Sequence, residues 1–292
     1  MNPHFTRLYG KRISRVCGYI HQHLDDALTL EELSTVAAFS KFHFHRVFNT
    51  YTGTSATRFI QLVRLKRASF RLAFEQEKRI IDIALEAGFE SPEAFSRAFK
   101  RIFDQSPSQF RTHPAWPEWH TRFQFKNPTD GVKQMKQMNV DVVNFETTPV
   151  ALIEHLGPPE NVYETAARFI AWRKITGLSP VQTSQTFGIP YSDPKHTAPE
   201  EFRWDVCGSM DGDVPPNDYG VKSGRIPGGR CAVVRHKGSH QNLENSILYL
   251  YHHWLPKSGE SVRDYPCFFH YLNFIHEVDE CDLLTDIYLP LE

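Results

Sequence analysis

The chain has 292 residues, of which 40% are hydrophobic and 23% charged, and a formal net charge of −1. That length suits two domains, each able to bury its own core. No apolar run approaches the roughly 18 residues a membrane span needs and no secretory signal pattern is present, so no membrane partner and a cytoplasmic location are expected.

The near-zero total hides an asymmetry. Residues 1–113 carry 17 Lys+Arg against 11 Asp+Glu, whereas residues 114–292 carry 16 against 23. A basic half joined to an acidic half suits a nucleic-acid module attached to something that does not touch phosphates. The five cysteines (17, 207, 231, 267, 281) have no C-x-x-C pair, which argues against structural zinc and against a disulfide framework. His21-x-His23, His43-x-His45 and His252-His253 lack the helical spacing or third ligand of a metal site, so neither metal nor cofactor is expected.

Ile13, Val16, Cys17, Ile20 and Leu24 recur at helical spacing and predict a first amphipathic helix, stopped by Asp25-Asp26. Thr29 to Glu32 reads as a capping box opening a second helix that buries Leu30, Leu33, Val36 and Ala37. A turn near Phe39 leads to Ser40, the N-cap of a third helix. Phe44, Val47, Phe48 and Tyr51 form its inner stripe. Phe42, His45, Arg46 and Asn49 repeat the same spacing on another face. An Arg fork can read guanine edges or clamp phosphate, His and Asn can bond bases, and Phe can pack on thymine methyls. For one helix alone, an ordinary solvated face is the competing reading.

The motif then repeats 51 residues on. Arg46-Val47-Phe48 recurs as Arg97-Ala98-Phe99, Phe44 as Phe95, Ser40 as Ser91, and Leu33-x-x-x-Ala37 as Ala84-x-x-x-Gly88. Ile80, Ile83, Ala84 and Ala87 make a short buried helix, and Gly88 suits a left-handed terminus. Ser91-Pro92 caps the next helix, with Phe95, Ala98, Phe99 and Ile102 inside and Glu93, Ser96, Arg97 and Lys100 outside. The second head reads as the weaker base-reader, with Arg97 and Lys100 placing it on the backbone. Between the heads, Ala56 to Glu75 predict one long helix bearing Arg58, Arg64, Lys66, Arg67 and Arg71. Its roughly 20 residues span about 30 Å, close to the roughly 34 Å of one duplex turn.

Residues 8–112 thus resemble the DNA-binding domain of the AraC/XylS family of transcription regulators. The resemblance rests on Ile83-Ala84-x-x-x-Gly88-Phe89-x-Ser91-x-x-x-Phe95-x-Arg97-x-Phe99-Lys100-x-x-Phe103-x-x-x-Pro107-x-x-Phe110-Arg111. It implies double-stranded DNA as partner, with RNA polymerase a further partner of such a regulator. Phe42, His45 and Arg46 fall on base-contacting positions of the first recognition helix, and Ser96 and Arg97 on those of the second. The family often has Trp at the position of Phe42 and Gln at that of His45, which bears on the operator sequence.

His113 to Pro117 breaks the pattern, and 114–138 reads as a linker between a 1–113 domain and a 139–292 domain. A second repeat follows, 81 residues apart. Ala151-x-x-x-His155-x-Gly157 pairs with Ala232-x-x-x-His236-x-Gly238, Asn161-Val162 with Asn242-Leu243, and Asp205-Val206 with Asp286-Ile287. Each copy predicts strand, helix (161–174 and 242–254), strand, strand, with Thr285 to Pro290 as the last strand. The duplication implies an α+β domain with a pseudo-twofold axis and a crevice where its halves meet. This half resembles GyrI-like effector-binding domains, through Phe202-Arg203-Trp204-Asp205-x-Cys207 and Asp286-x-x-x-Pro290. The resemblance aligns Asp286 with the pocket glutamate of many drug-binding members. Trp172, Trp204, Tyr249, Tyr271, Tyr288, Asp205 and Asp286 are then the candidate ligand-binding residues, suited to a cationic or amphipathic small molecule. Burial of the same aromatics in an ordinary core is the competing reading. Two other functions stay open for this half: hydrolysis of strained electrophiles with Asp286 as base or nucleophile beside Tyr288, and protein binding without a ligand. The expected whole is a non-enzymatic, multidomain regulator: an all-α double helix-turn-helix domain followed by an α+β GyrI-like domain.

Overall fold

A computed structural model describes residues 3–123 and 137–292. The chain divides into two compact units, the second starting near Met135 and the first also taking in residues 275–281. Each is described separately.

The first unit is helical. Its elements are α1 (Pro3–Gln22), α2 (Leu30–Val36), α3 (Lys41–Thr52), α4 (Ala56–Phe74), α5 (Ile80–Glu86), α6 (Pro92–Phe103), α7 (Pro107–Thr112) and α8 (Trp116–Arg122). Serine side chains open four of them: Ser40, Ser55, Ser91 and Ser106 accept from the backbone N–H groups of His43, Arg58, Ala94 and Gln109. Each satisfies a donor that the helix itself cannot. Thr29 caps α2 in the same way, but the Glu32 carboxylate accepts from the Tyr19 hydroxyl at 2.5 Å. One core joins Ile13, Val16, Ile20, Leu33, Phe44 and Phe48 to the start of α4. Leu30, expected inside, is 42% exposed.

Residues 114–123 are not a linker. Trp116 and Trp119 on α8, and Phe123 just beyond it, are buried. Trp119 packs edge-on to Phe70 of α4 and donates its indole N–H to Ser69 at 2.7 Å, while Phe123 meets Phe103 of α6. Helix α8 therefore completes the second helix-turn-helix core. The remainder of the expected linker, 124–136, lies outside the described residues.

The second unit is an eight-stranded antiparallel sheet with helices on one face. Its strands are β1 (Val140–Phe145), β2 (Thr148–Leu156), β3 (Thr186–Pro190), β4 (Arg203–Ser209), β5 (Lys222–Ile226), β6 (Gly229–Lys237), β7 (Phe268–Tyr271) and β8 (Leu284–Pro290), in the order β1-β6-β8-β7-β3-β4-β2-β5. Helix α9 (Val162–Thr176) follows β2. After β6, α10 (Leu243–Tyr249) runs through a π turn (Leu250–Trp254) into α11 (Leu255–Ser258).

The duplication is one strand longer than the sequence repeat showed. β1 precedes β2 yet pairs with β6, and β5 precedes β6 yet pairs with β2. Each half lends its first strand to the other, so the unit is strand-strand-helix-strand-strand with that strand exchanged. The repeated histidines hold the helix starts. His155 bonds Thr165 at 2.8 Å and the Pro158 carbonyl at 3.0 Å; His236 bonds Ser246 at 2.8 Å and the Ser239 carbonyl at 3.1 Å.

Candidate DNA interface and ligand site

The two recognition helices present the stripes that their spacing predicts. On α3, Phe44 and Phe48 are fully buried while His45, Arg46 and Asn49 are exposed. Phe42 lies on the same helix, its side chain outside the described residues. On α6, Phe95 and Phe99 are fully buried, Ser96 is half-buried, and Arg97 and Lys100 are exposed. The hydroxyls of Ser40 and Ser91 are occupied as helix caps. Arg46, Arg97 and Lys100 enter no ion pair among the described residues, so three guanidinium and ammonium groups remain open to phosphate or base.

The turns that aim these helices differ by one residue. Gly88 takes φ +75°, with its N–H bonded to Leu85 and that of Phe89 to Ala84; Ala38 takes φ +53°, with its N–H bonded to Thr35 and that of Phe39 to Ser34. Ala38 is therefore the counterpart of Gly88, at a spacing of 50, while Ser40 and Ser91 keep a spacing of 51. Glu90 is the extra residue. The uniform 51-residue register misaligned α2 and α5 by one position.

Most of the basic groups on α4 are already committed. Lys66 and Arg67 are buried: Lys66 bonds both oxygens of Glu280 at 2.7 and 2.8 Å, and Arg67 pairs with Asp25 and Asp279. Arg64 donates to the carbonyls of Leu24 and Asp26, each at 2.9 Å, and Arg71 pairs with Glu86. These side chains tie helices together. Helix α4 spaces the heads, and its cations are chiefly structural.

In the second unit the strand register sorts the candidate ligand residues, because successive side chains point to opposite faces. Asp205 and Asp286 stand on the face away from α9 and α10, with Cys207, Phe187, Phe268 and Tyr288. Asp286 accepts from Arg235 at 2.7 and 2.8 Å, and Tyr288 stacks on Phe268 with ring centres 4.9 Å apart. Asp205 is 1% exposed and sits opposite Glu154 in register. Burial pushes its carboxyl up, and Arg203, bonded at 3.2 and 3.3 Å, opposes that shift. A carboxylate with both oxygens held by a guanidinium is poorly placed to act as base or nucleophile.

Trp204, Tyr271 and Phe269 project from the helix-covered face. Trp204 packs against both helix-side clusters, one from each half, and lies 5.5 Å from Phe269. Trp172 is wholly buried against Phe169, and Tyr249 stacks on His253 while donating to the Met138 carbonyl at 3.2 Å. The seven candidates thus separate into two faces and a helix interior, and form no single pocket.

Sequence reasoning passed over two features of the helix-covered face. Gly188 has no side chain where Trp204 and Tyr271 lean over the strand: a Cβ there would stand 2.7 Å from the Tyr271 hydroxyl and 2.9 Å from the indole. Arg173 of α9 is 3% exposed, donates to the Ser179 carbonyl and to Thr186 Oγ1, and has no acid beside it. Burial alone lowers it to about 10. A basic residue in the otherwise apolar inner turn of α9 and a glycine inside a four-residue buried run were the available signals.

Two exposed basic helices on one unit, joined in the chain to a duplicated α+β unit, are the plan of a DNA-binding transcription regulator with a second, α+β domain. The chain belongs to the GyrI-like family: the model described as a GyrI-like small molecule binding domain matches residues 138–292, and a helix-turn-helix domain model matches residues 33–113. It is 34% identical over 260 residues to transcriptional regulator Rob of Salmonella typhimurium, covering 85% of this chain and 87% of that protein. It is 47% identical over 154 residues to "Probable transcriptional regulator YgiV" of Escherichia coli, covering 53% of this chain and 96% of that one. Among solved structures, the EcmrR C-terminal domain matches 54% of this chain and 99% of its own at 19% identity and a TM-score of 0.45. No helix among the described residues is long and apolar enough to cross a membrane.

Proposed function

We propose that α3 and α6 enter successive major grooves on one side of a duplex, with α3 reading bases and α6 chiefly gripping the backbone. The observation that carries this reading is that Arg46, Arg97 and Lys100 are exposed and enter no ion pair among the described residues, while the cations of α4 are largely consumed. Helix α4, 19 residues long, supplies about 28 Å of separation. In α3 the exposed His45, Arg46 and Asn49 offer both donors and acceptors to base edges. In α6 the outward groups are an acid, a half-buried hydroxyl and three cations, Arg97, Lys100 and Arg101, which suit phosphate better than bases. The second unit takes a small molecule and the regulator acts on RNA polymerase at the promoters it binds.

Selection of bound sequences from random DNA, followed by footprinting, tests the geometry: two protected segments one helical turn apart are expected. Arg46→Ala should weaken operator binding by roughly 1–3 kcal/mol and relax the sequence preference at one position. Lys100→Ala should weaken all sequences alike and flatten the salt dependence. An Arg46→Ala protein that binds as tightly as the parent overturns the assignment of α3.

A further inference from the structure

Arg58 is the cation of α4 that the packing of the first unit leaves over. Lys66, Arg67 and Arg71 are paired with acids, and Arg64 is spent on the carbonyls of Leu24 and Asp26. Arg58 enters no ion pair among the described residues, and its Nη1 donates to Gln61 Oε1 at 2.6 Å. That bond occupies the oxygen of the Gln61 amide, so the pair turns N–H donors to its surroundings. Burial and the like charge of Arg101 on α6 both push the Arg58 guanidinium down, and no carboxylate opposes them. Arg101 is exposed, enters no ion pair among the described residues, and stands one turn from Arg97 on the same side of α6. Two neighbouring cations with no acid beside them call for an anion.

Arg58 and Gln61 border an open cleft of about 630 Å³ in the first unit. One wall is the start of α2 with the loop before it, the other is the turn 87–89 that leads into α6, and the first half of α4 is the floor. The cleft thus lies between the two heads. No acid lines it among the described residues, whereas Thr29 and Thr57 stand exposed at its border. None of its polar side-chain atoms is buried without a partner among the described residues, so nothing in it asks for a small enclosed ligand. Two helices that enter successive major grooves from one side must straddle the minor groove between them. The backbones edging that minor groove then pass the gap between the heads.

We propose that the DNA phosphates edging this minor groove lie over the cleft, held by Arg58 and Gln61 of α4 and by Arg101 of α6. This rests on the reading of α3 and α6 as the two groove-entering helices, and it adds a third grip between them. Phosphate contacts fix register without carrying sequence information. Arg58 therefore ties both heads to one helical spacing and reads no base. The row Arg97, Arg101, Arg58 makes the grip continuous with the outward face of α6.

Operator duplexes with neutral methylphosphonates between the two footprinted segments test this on the full chain, against a control neutralised equally on the far side of the duplex. The parent should bind the centrally neutralised duplex about tenfold more weakly than the control. Arg58→Ala should bind every unmodified duplex roughly three- to tenfold more weakly and lower the slope of log affinity against log salt by about 1. It should also be nearly indifferent to central neutralisation, whereas Arg58→Lys should recover most of the loss and Arg46→Ala should stay as sensitive as the parent. If Arg58→Ala does not fold, Arg101→Ala and the parent's response to the modified duplexes still decide the matter. Equal binding of the two modified duplexes by the parent, with two protected segments present, overturns the cleft contact and leaves the two-groove reading standing. Central neutralisation that weakens the parent and Arg58→Ala by the same factor overturns Arg58 as the gripping group. A footprint of a single segment overturns the two-groove reading and this contact together. A dimer that forms without DNA and is lost in Arg58→Ala gives the cleft to a second copy of the chain, which also overturns the proposal.

Discussion

Ala38 shows how much a single backbone angle can hold. At φ +53° its methyl group sits where glycine is at ease, and the counterpart in the second head is Gly88. A left-handed alanine costs about 1 kcal/mol relative to glycine, partly offset by the greater freedom of glycine in the unfolded chain. Ala38→Gly is therefore expected to stabilise the protein by roughly 0.5 kcal/mol, read as a higher urea midpoint; a lower one counts against the assignment. His236 makes the opposite kind of statement. Burial lowers its ring below its ordinary value of about 6.5. The unfolded chain then takes up a proton first, so stability present above about pH 6.5 is lost as pH falls through the folded value. His21 and His270, lowered for the same reason, add to that drift. Urea midpoints measured from pH 7.5 down to about 5.5 should fall less in His236→Gln than in the parent. Equal slopes would show that this ring does not contribute.

Among elements, α8 departs furthest from its sequence reading. His113 to Pro117 looks like a chain break, and a seven-residue helix has too few turns for periodicity to register. Its stability comes from contact: Trp116 meets Phe110 at 5.5 Å and Phe70 at 5.8 Å, and Trp119 meets Phe70 at 4.9 Å. Removing a buried indole typically costs about 3–5 kcal/mol. Trp119→Ala should lower the melting transition of the helical unit by that equivalent, and an unchanged transition would mean that α8 is dispensable. By contrast, α3 and α6 were legible because each runs 12 residues with an apolar stripe at i, i+3, i+4 and i+7, flanked by Ser at the N-cap. The strand exchange of β1 and β5 was not legible. Strand partners are a matter of long-range pairing, which a one-dimensional repeat does not record.

For the molecule as a whole, the charge asymmetry is real but is used differently from its first reading. Lys66 and Arg67 spend their charge inside the first unit, on Glu280, Asp279 and Asp25. Lys66 is 5% and Glu280 12% exposed in their side chains. Breaking such a buried pair from one side strands a charge and costs about 3–5 kcal/mol. Glu280→Gln should therefore destabilise the protein by that order in chemical denaturation, whereas Lys66→Met with Glu280→Leu should cost far less. If the single and double variants proved alike, the pair would be shown to carry no buried charge.

The double helix-turn-helix plan, the duplicated α+β plan, the exposed stripes of α3 and α6 and the regulator class were all determined by the linear order of residues. Helical periodicity, capping serines and repeats are local patterns that survive without coordinates. Only the tertiary structure decided which basic residues stay exposed and which carboxylates are bonded to arginine. It also decided which sheet face each aromatic occupies. Those outcomes depend on register and on partners far apart in the chain, and a one-residue change in pairing sends a side chain to the opposite face. Asp286 and Arg173 carry that lesson: the acid expected in a ligand site is bonded to Arg235 within the sheet, and Arg173, which no sequence pattern singled out, is buried with no acid bonded to it among the described residues.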